Sequence, residues 1–480
     1  MTLRIDNRGK NIGRTQSAGS EGLWLFPMAV VLTVVLGAIA GRCEAAPDAS
    51  RPPNVVLIFC DDLGYGDIGC FGSTKHRTPH VDRMAREGVR FTSFYVTAGV
   101  CSPSRSSLMT GCYPRRVNLH QNEKGRWVLF PANSRGLHPD EITIAEVLKQ
   151  RGYATCCVGK WHLGDQPRFL PTRQGFDHYF GIPYSNDMGK VRPRSKYPPL
   201  PLLRDDKVIE TEPDQAQLTP RYTAEAIKFI TANRDRPFFL YLPHTFPHWP
   251  LHASERFLGK SANGAFGDAV EEIDWSTGEI LATLRRLGLD EQTLVIFTSD
   301  NGAARQHGGS NSPLRGFKGS TFEGGMRVPF VARWPKKIPA GKSSNALVTS
   351  MDLLPTLAKL AGGQAPTDRK IDGRDIWSLL ASADGAESPH EAFFYYRIGT
   401  LQAVRSGQWK LNLASGELYD LHADIAESKN LAAQHPEVVE KLSRLAEACR
   451  EDLGDGRRQG KNQRPAGAVD NPVPLGRSDS

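Results

Sequence analysis

Two apolar runs, each ending abruptly in carboxylates, limit what this chain can fold into more than any other feature. Val55-Val-Leu-Ile-Phe59 stops at Asp61-Asp62, and Thr293-Leu-Val-Ile-Phe-Thr298 stops at Asp300-Asn301. Unbroken β-branched runs of this length read as strands buried on both faces, whose C-terminal ends present acids at one edge of a sheet. Helical stretches are expected at about 78–87, 143–151, 222–232 and 266–287, and the third leads into another core run, Pro237-Phe-Phe-Leu-Tyr-Leu242. Strands alternating with helices predict an α/β domain around a large, mostly parallel sheet, with ligands collecting beyond the strand ends. From about Ala392 the pattern becomes short and alternating, around 393–396, 403–405, 409–413 and 417–421, before a helix at about 436–452. This reads as a smaller C-terminal antiparallel sheet packed by one helix.

A length of 480 residues suits one large domain and a small one, expected at 47–385 and 386–455. Residues 456–480 are rich in Gly, Asn and Pro, carry Arg457, Arg458, Lys461 and Arg464, and are expected to form a disordered tail. At the other end, basic residues from Arg4 to Arg14 precede an apolar run from Leu23 to Ala40 and then Cys43-Glu-Ala-Ala46. That order predicts a signal peptide over 1–46, a secreted or periplasmic protein, and no stable membrane span after cleavage; a retained anchor is the alternative. Export permits disulfides among Cys60, Cys70, Cys112, Cys156, Cys157 and Cys449, with the pairing left open. The net charge of +8 fits an anionic partner without choosing its kind.

Several short segments carry chemistry. Asp61-Asp62-Leu-Gly-Tyr-Gly-Asp67 places two repelling carboxylates side by side, an arrangement that calls for a nearby cation. Asp300-Asn301-Gly302 adds oxygen ligands, and an all-oxygen set suits calcium or magnesium rather than zinc. Cys101-Ser-Pro-Ser-Arg105 runs into Ser106-Ser-Leu-Met-Thr-Gly111; alone it could be a structural turn and cap. In Gly159-Lys-Trp-His-Leu-Gly164, Lys160 and His162 would point to the same side of an extended segment. His244-Thr-Phe-Pro-His248-Trp-Pro-Leu-His252 holds three histidines, and Leu314 to Arg327 surrounds Lys318 with glycines that let backbone approach a small anion.

Together these segments resemble the type I, formylglycine-dependent sulfatases of the alkaline phosphatase superfamily, from Pro53 to about Cys449. The likeness is greatest to the arylsulfatase A and N-acetylgalactosamine-6-sulfatase branch. The resemblance implies an alkaline phosphatase-like fold and hydrolysis of an aryl or saccharide sulfate ester, with a sulfated small molecule or glycan as partner and no nucleic acid. It implies that Cys101 is oxidised to formylglycine by a generating enzyme. Asp61, Asp62, Asp300, Asn301 and the modified Cys101 would hold Ca2+, with Mg2+ as the alternative. It assigns Arg105 to steadying the formylglycine, Lys160, Lys318 and Ser185 to the sulfate, His162 to the hydrate and His248 to the leaving-group oxygen. His244 and His252 remain structural or substrate-side. Asn186 departs from the branch, which carries histidine there. A phosphate or phosphonate ester hydrolase of the same fold is the first rival; the oxygen-rich ligand set and paired lysines favour sulfate. A silent glycan-binding relative is the second, and the intact residue set argues against it. Loops 118–133 and 186–204 are expected to set specificity, in no readable code.

Overall fold

The computed structural model describes residues 51–191 and 194–475; the leader expected at 1–46 lies outside them. The main sheet contains β1 (Asn54–Cys60), β2 (Val89–Phe91), β3 (Ala154–Val158), β4 (His178–Gly181), β5 (Pro201–Arg204), β6 (Lys207–Thr211), β7 (Phe238–Pro243), β8 (Thr293–Ser299), β9 (Phe330–Arg333) and β10 (Lys342–Ser344). Their order is β10-β2-β9-β8-β1-β7-β3-β4-β5-β6. The central run from β8 through β1, β7 and β3 to β4 is parallel, and antiparallel pairings continue it on both flanks. β1 shows why the sequence lacks polar alternation here. Val55, Leu57 and Phe59 enter one core, and Val56, Ile58 and Cys60 enter the other. Each aliphatic or aromatic side chain so buried contributes about 1.5–3 kcal/mol.

Helices cover both faces. α1 (Pro79–Arg86), α4 (Leu218–Ala232) and α5 (Gly264–Arg286) bury their apolar stripes on the Val56 side. α2 (Cys101–Thr110), α3 (Ile144–Lys149) and α6 (Leu353–Leu360) do so on the Val55 side. α3 starts where its sequence says it should: Thr143 Oγ1 accepts from the Glu146 amide while Glu146 reaches back, a capping box. The small sheet runs β11 (Phe393–Arg397), β12 (Thr400–Ser406), β13 (Trp409–Asn412) and β14 (Leu418–Asp420), all antiparallel, with α7 (Pro436–Leu453) laid on β12 and β13. The seven described cysteines are unpaired, and no described helix is long and apolar enough to cross a membrane.

The expected disordered tail is corrected by the structure over residues 456–475. Arg464 donates to Glu141 at 2.6 and 2.9 Å, its amide bonds the Arg116 carbonyl at 2.6 Å, and Val473 exchanges hydrogen bonds with Gln166. Gly467–Ala468 pairs with Arg135–Gly136, and a Cβ on Gly467 would sit 2.5 Å from Phe169. Charges and glycines that composition reads as solvated coil here meet acceptors far away in sequence, which no local pattern reveals.

Candidate active site

The five adjacent parallel strands each feed residues past their C-terminal ends: Asp300-Asn301 after β8, Asp61-Asp62 after β1, His248 on the loop after β7, Lys160 and His162 after β3, and Ser185 after β4. Register makes the acids converge. Cys60 lies opposite Ser299, so both acid pairs begin at the same level of the sheet. Asp62 takes a left-handed backbone (φ 66°), rare for a non-glycine residue, and its amide donates to Asp300 Oδ1 at 3.1 Å.

Cys101 opens α2, a helix buried on every side. Pro103 in the first turn costs no internal hydrogen bond, Gly111 ends the helix at φ 67°, and Ser106 and Thr110 return their hydroxyls to backbone carbonyls. These local devices let a Ser-rich helix sit in the interior. They also fix Cys101 Sγ 3.4 Å from Asp61 Oδ1.

Around that thiol, ligand atoms of Asp61, Asp62, Cys101 and His248 lie within 4.8 Å of one another. Lys160 Nζ donates to Asp61 and, at 3.1 Å, to Ser185 Oγ. Lys318 Nζ lies 2.6 and 2.8 Å from the two Asp62 oxygens and 3.6 Å from Cys101 Sγ. Arg105 grips Asp300 Oδ2 from Nη2 at 2.8 Å and from Nε at 3.2 Å, and donates to the Lys160 carbonyl at 2.8 Å. His248 Nδ1 faces two acceptors, the Trp249 carbonyl at 2.5 Å and Asn186 Oδ1 at 3.1 Å. That nitrogen therefore carries a proton, leaving Nε2 to face Asp62, 3.8 Å away. Asn186 thus orients His248, a role that the sequence reading did not assign it.

His162 departs from the simple picture. The segment is not extended: Gly159 has φ 133° and His162 φ 62°. Its Nε2 meets the Leu129 carbonyl at 2.9 Å, while Nδ1 is buried without a hydrogen-bond partner. Among the site residues named from the sequence, it is the one with no hydrogen bond into the cluster. His244 is buried and stands apart, with neither ring nitrogen bonded, and His252 packs near Phe246.

The three carboxylates Asp61, Asp62 and Asp300 are matched in number by the three cations Arg105, Lys160 and Lys318. Burial raises Asp61, but Lys160, His248 and Arg105 outweigh it and hold that carboxyl well below the usual range. Burial and then Asp61 push Asp300 up to about 7 despite Arg105. Burial and Asp61 also raise the Cys101 thiol far above neutrality, so the unmodified residue is a poor nucleophile. Lys318 resists burial through Asp62 and stays firmly charged. Asn301 Nδ2 donates to Asp62 at 2.7 Å, while its buried Oδ1 has no partner. Three buried carboxylates and an orphaned amide oxygen form a donor set that a hard divalent cation fits.

The main body matches the family model described as Sulfatase over residues 53–363, and residues 317–452 match the N-sulphoglucosamine sulphohydrolase C-terminal model. The chain is 43% identical to the N-acetylgalactosamine-6-sulfatase of Mus musculus over 399 residues, covering 80% of this chain and 75% of that protein. It is 40% identical to arylsulfatase A of Homo sapiens over 425 residues, 82% of each chain. A solved structure in complex with a neocarrahexaose superposes with a TM-score of 0.73 at 31% identity, covering 83% of this chain and 92% of the other.

Proposed function

The chain belongs to the sulfatase family and is a sulfuric ester hydrolase, and from that premise we propose that it removes sulfate from a saccharide or aryl ester using Cys101 converted to formylglycine. The observation that carries this reading is the position of Cys101, at the head of a buried helix with Sγ 3.4 Å from Asp61 Oδ1 and 3.6 Å from Lys318 Nζ. Hydrated formylglycine at that position offers two hydroxyls. One attacks sulfur as the S–O bond to the alcohol breaks, and loss of the proton from the other lets the aldehyde re-form as sulfate departs. A serine would lack the second hydroxyl.

Asp61, Asp62, Asp300 and Asn301 would hold a calcium ion beside position 101. When bound, such an ion supplies positive charge to sulfate oxygens and lowers the pKa of a neighbouring hydroxyl. The rest is work for the chain. Lys160 and Lys318, both already pointed at the cluster, neutralise sulfate oxygens as charge redistributes, and Ser185 Oγ stands between Lys160 and His248. His248, with its Nδ1 proton anchored, would serve the departing alcohol only when Nε2 is protonated as well, a form that the facing Asp62 favours. His162 Nδ1, unpartnered and held neutral by burial and Lys160, is the free base for the second hydroxyl. Arg105 fixes Asp300 against the β3 loop. The N-terminal segment, read as a signal, would send the protein out of the cytoplasm, to be matured by a formylglycine-generating enzyme.

The test is release of nitrophenol from 4-nitrophenyl sulfate by protein co-produced with that enzyme, beside Cys101→Ala and a 4-nitrophenyl phosphate control. Selective sulfate hydrolysis, lost by about 10⁴-fold or more on substitution, is the expected result. Preference for phosphate, or full activity in the Cys101→Ala protein, would overturn the reading.

A further inference from the structure

His248 serves a departing alcohol only if its ring is held at a fixed place relative to the sulfate. The Trp249 carbonyl, 2.5 Å from Nδ1, belongs to the neighbouring residue on the same loop, so it cannot fix where that loop stands against the sheet. Asn186 Oδ1, the second acceptor at 3.1 Å, comes from the loop after β4. Asn186 is fully buried, and its carboxamide can face only one way. Nδ2 donates to the Pro250 carbonyl at 3.0 Å and to Gln215 Oε1 at 2.9 Å; turning the amide over would set its oxygen against the main-chain oxygen of Pro250. Gln215 is pinned in the same manner, because its Nε2 donates to the Asn186 carbonyl at 3.2 Å.

Three segments distant in sequence meet at this amide. Gln215 begins the single 3₁₀ turn Gln215–Gln217 that leads into α4, and the Asp214 side chain caps that turn by accepting from the Ala216 amide. Asn186 follows Ser185, whose Oγ takes a hydrogen bond from Lys160 at 3.1 Å. Pro250 lies two residues beyond His248. Asn186 therefore grips the His248 loop at two points, the ring and the Pro250 carbonyl, and ties both to the residue beside Ser185. Removing the Gln215 side chain would leave one Asn186 N–H buried without an acceptor and the carboxamide free to swing away from His248.

We propose that Gln215 is a positioning residue for protonation of the leaving group, acting through Asn186 on His248. This deepens the reading of His248 given above and rests on it. As the S–O bond to the alcohol breaks, its electron pair stays on the alcohol oxygen, which takes the proton from Nε2; His248 is left neutral, with its Nδ1 proton still held by Asn186 and Trp249. An alcohol of high pKa needs that proton as it departs, whereas 4-nitrophenol leaves as its anion. The Asn186–Gln215 pair therefore governs turnover of esters with poor leaving groups and has little effect on activated aryl esters.

The test compares kcat for phenyl sulfate with kcat for 4-nitrophenyl sulfate in full-length protein carrying formylglycine. The ratio of the two does not depend on the fraction of molecules that are folded. Against wild type, Gln215→Ala should lower that ratio about tenfold and Asn186→Ala about a hundredfold, with KM for each ester nearly unchanged. Adding Gln215→Ala to Asn186→Ala should lower it no further, because the one acts through the other. Gln215→Glu, which keeps an acceptor for Asn186, should restore part of the ratio, and Gln215→Leu, of similar size without one, should restore none. Equal losses on both esters, a double variant worse than Asn186→Ala alone, or a wild-type ratio in Gln215→Leu would overturn the proposal. His248→Ala is measured beside them. A ratio that falls in His248→Ala and is untouched in Gln215→Ala would overturn this inference alone, whereas a ratio unchanged in His248→Ala would remove the acid role of His248 together with it.

Discussion

Two clusters of buried charge lie close together in this molecule and are built differently. One is the reactive cluster of Asp61, Asp62, Asp300, Arg105, Lys160 and Lys318. The other joins the Lys318 loop to the small sheet: Glu323 accepts from Lys410 at 3.0 Å, Tyr395 at 2.8 Å, Arg327 at 3.4 Å and Tyr95. There Lys410 also pairs with Glu427 Oε1 at 2.7 Å, and Glu427 Oε2 takes the Glu323 amide at 2.8 Å. Every carboxylate oxygen in the junction has a donor. The carboxylate oxygens of the reactive cluster have donors too; what sets it apart is the adjoining Asn301 Oδ1, buried without a partner, and a Lys318 side chain left 20% exposed. A closed network of charge specifies how two elements meet, whereas an open one has capacity for a ligand.

Substituting one lysine in each cluster gives the sharpest contrast. Lys410→Met leaves Glu323 and Glu427 short of a cation and should cost about 3–5 kcal/mol in denaturant melts, with turnover per folded molecule within about tenfold. Lys318→Met, assayed with calcium present, should instead lower turnover by about 10²–10³-fold with a smaller change in stability. Equal stability losses in the two variants would break the distinction.

Calcium titration comes next in size. At a hundred times its Kd, the ion should raise the stability of the wild-type chain by about 2.7 kcal/mol. Asn301→Ala should lose most of this gain, and Glu427→Gln should keep it. A gain that is the same in both variants would remove the metal from the reactive cluster.

Acid should act on the junction through Glu323. Although burial opposes its charge, Lys410, Arg327 and Arg405 hold Glu323 down at about 2. A carboxyl depressed on folding contributes stability above its unfolded pKa, near 4.5, and loses it as pH falls toward 2. Glu427, raised by burial, opposes part of this effect. Glu323→Gln should therefore flatten the pH dependence of melting between about 4.5 and 2; an unchanged slope would mean that the charge is not stabilised there.

Much of this arrangement was legible in the chain. The acid pairs could be placed because a strand buried on both faces has a simple signature, and β1 and β8 lie within one residue of the runs that predicted them. Lys318 and Ser185 were found through family resemblance, since no local period marks a lysine or serine on a loop as aimed at a sheet edge. The left-handed turns at Asp62 and His162, the anchoring of His248 by Asn186, the ordered segment beyond residue 455 and the hold of Gln215 on Asn186 were not legible. Each depends on a partner distant in sequence.

The sequence by itself determined the α/β alternation, the carboxylates at the strand ends and the identity of the chemical groups, because these rest on burial patterns and side-chain type. Tertiary structure alone decided which groups stay unpaired. Whether an Asn301 oxygen or a His162 nitrogen finds a partner depends on the spacing of loops brought together by neighbouring strands, and that spacing is a property of the packed sheet rather than of any segment in it.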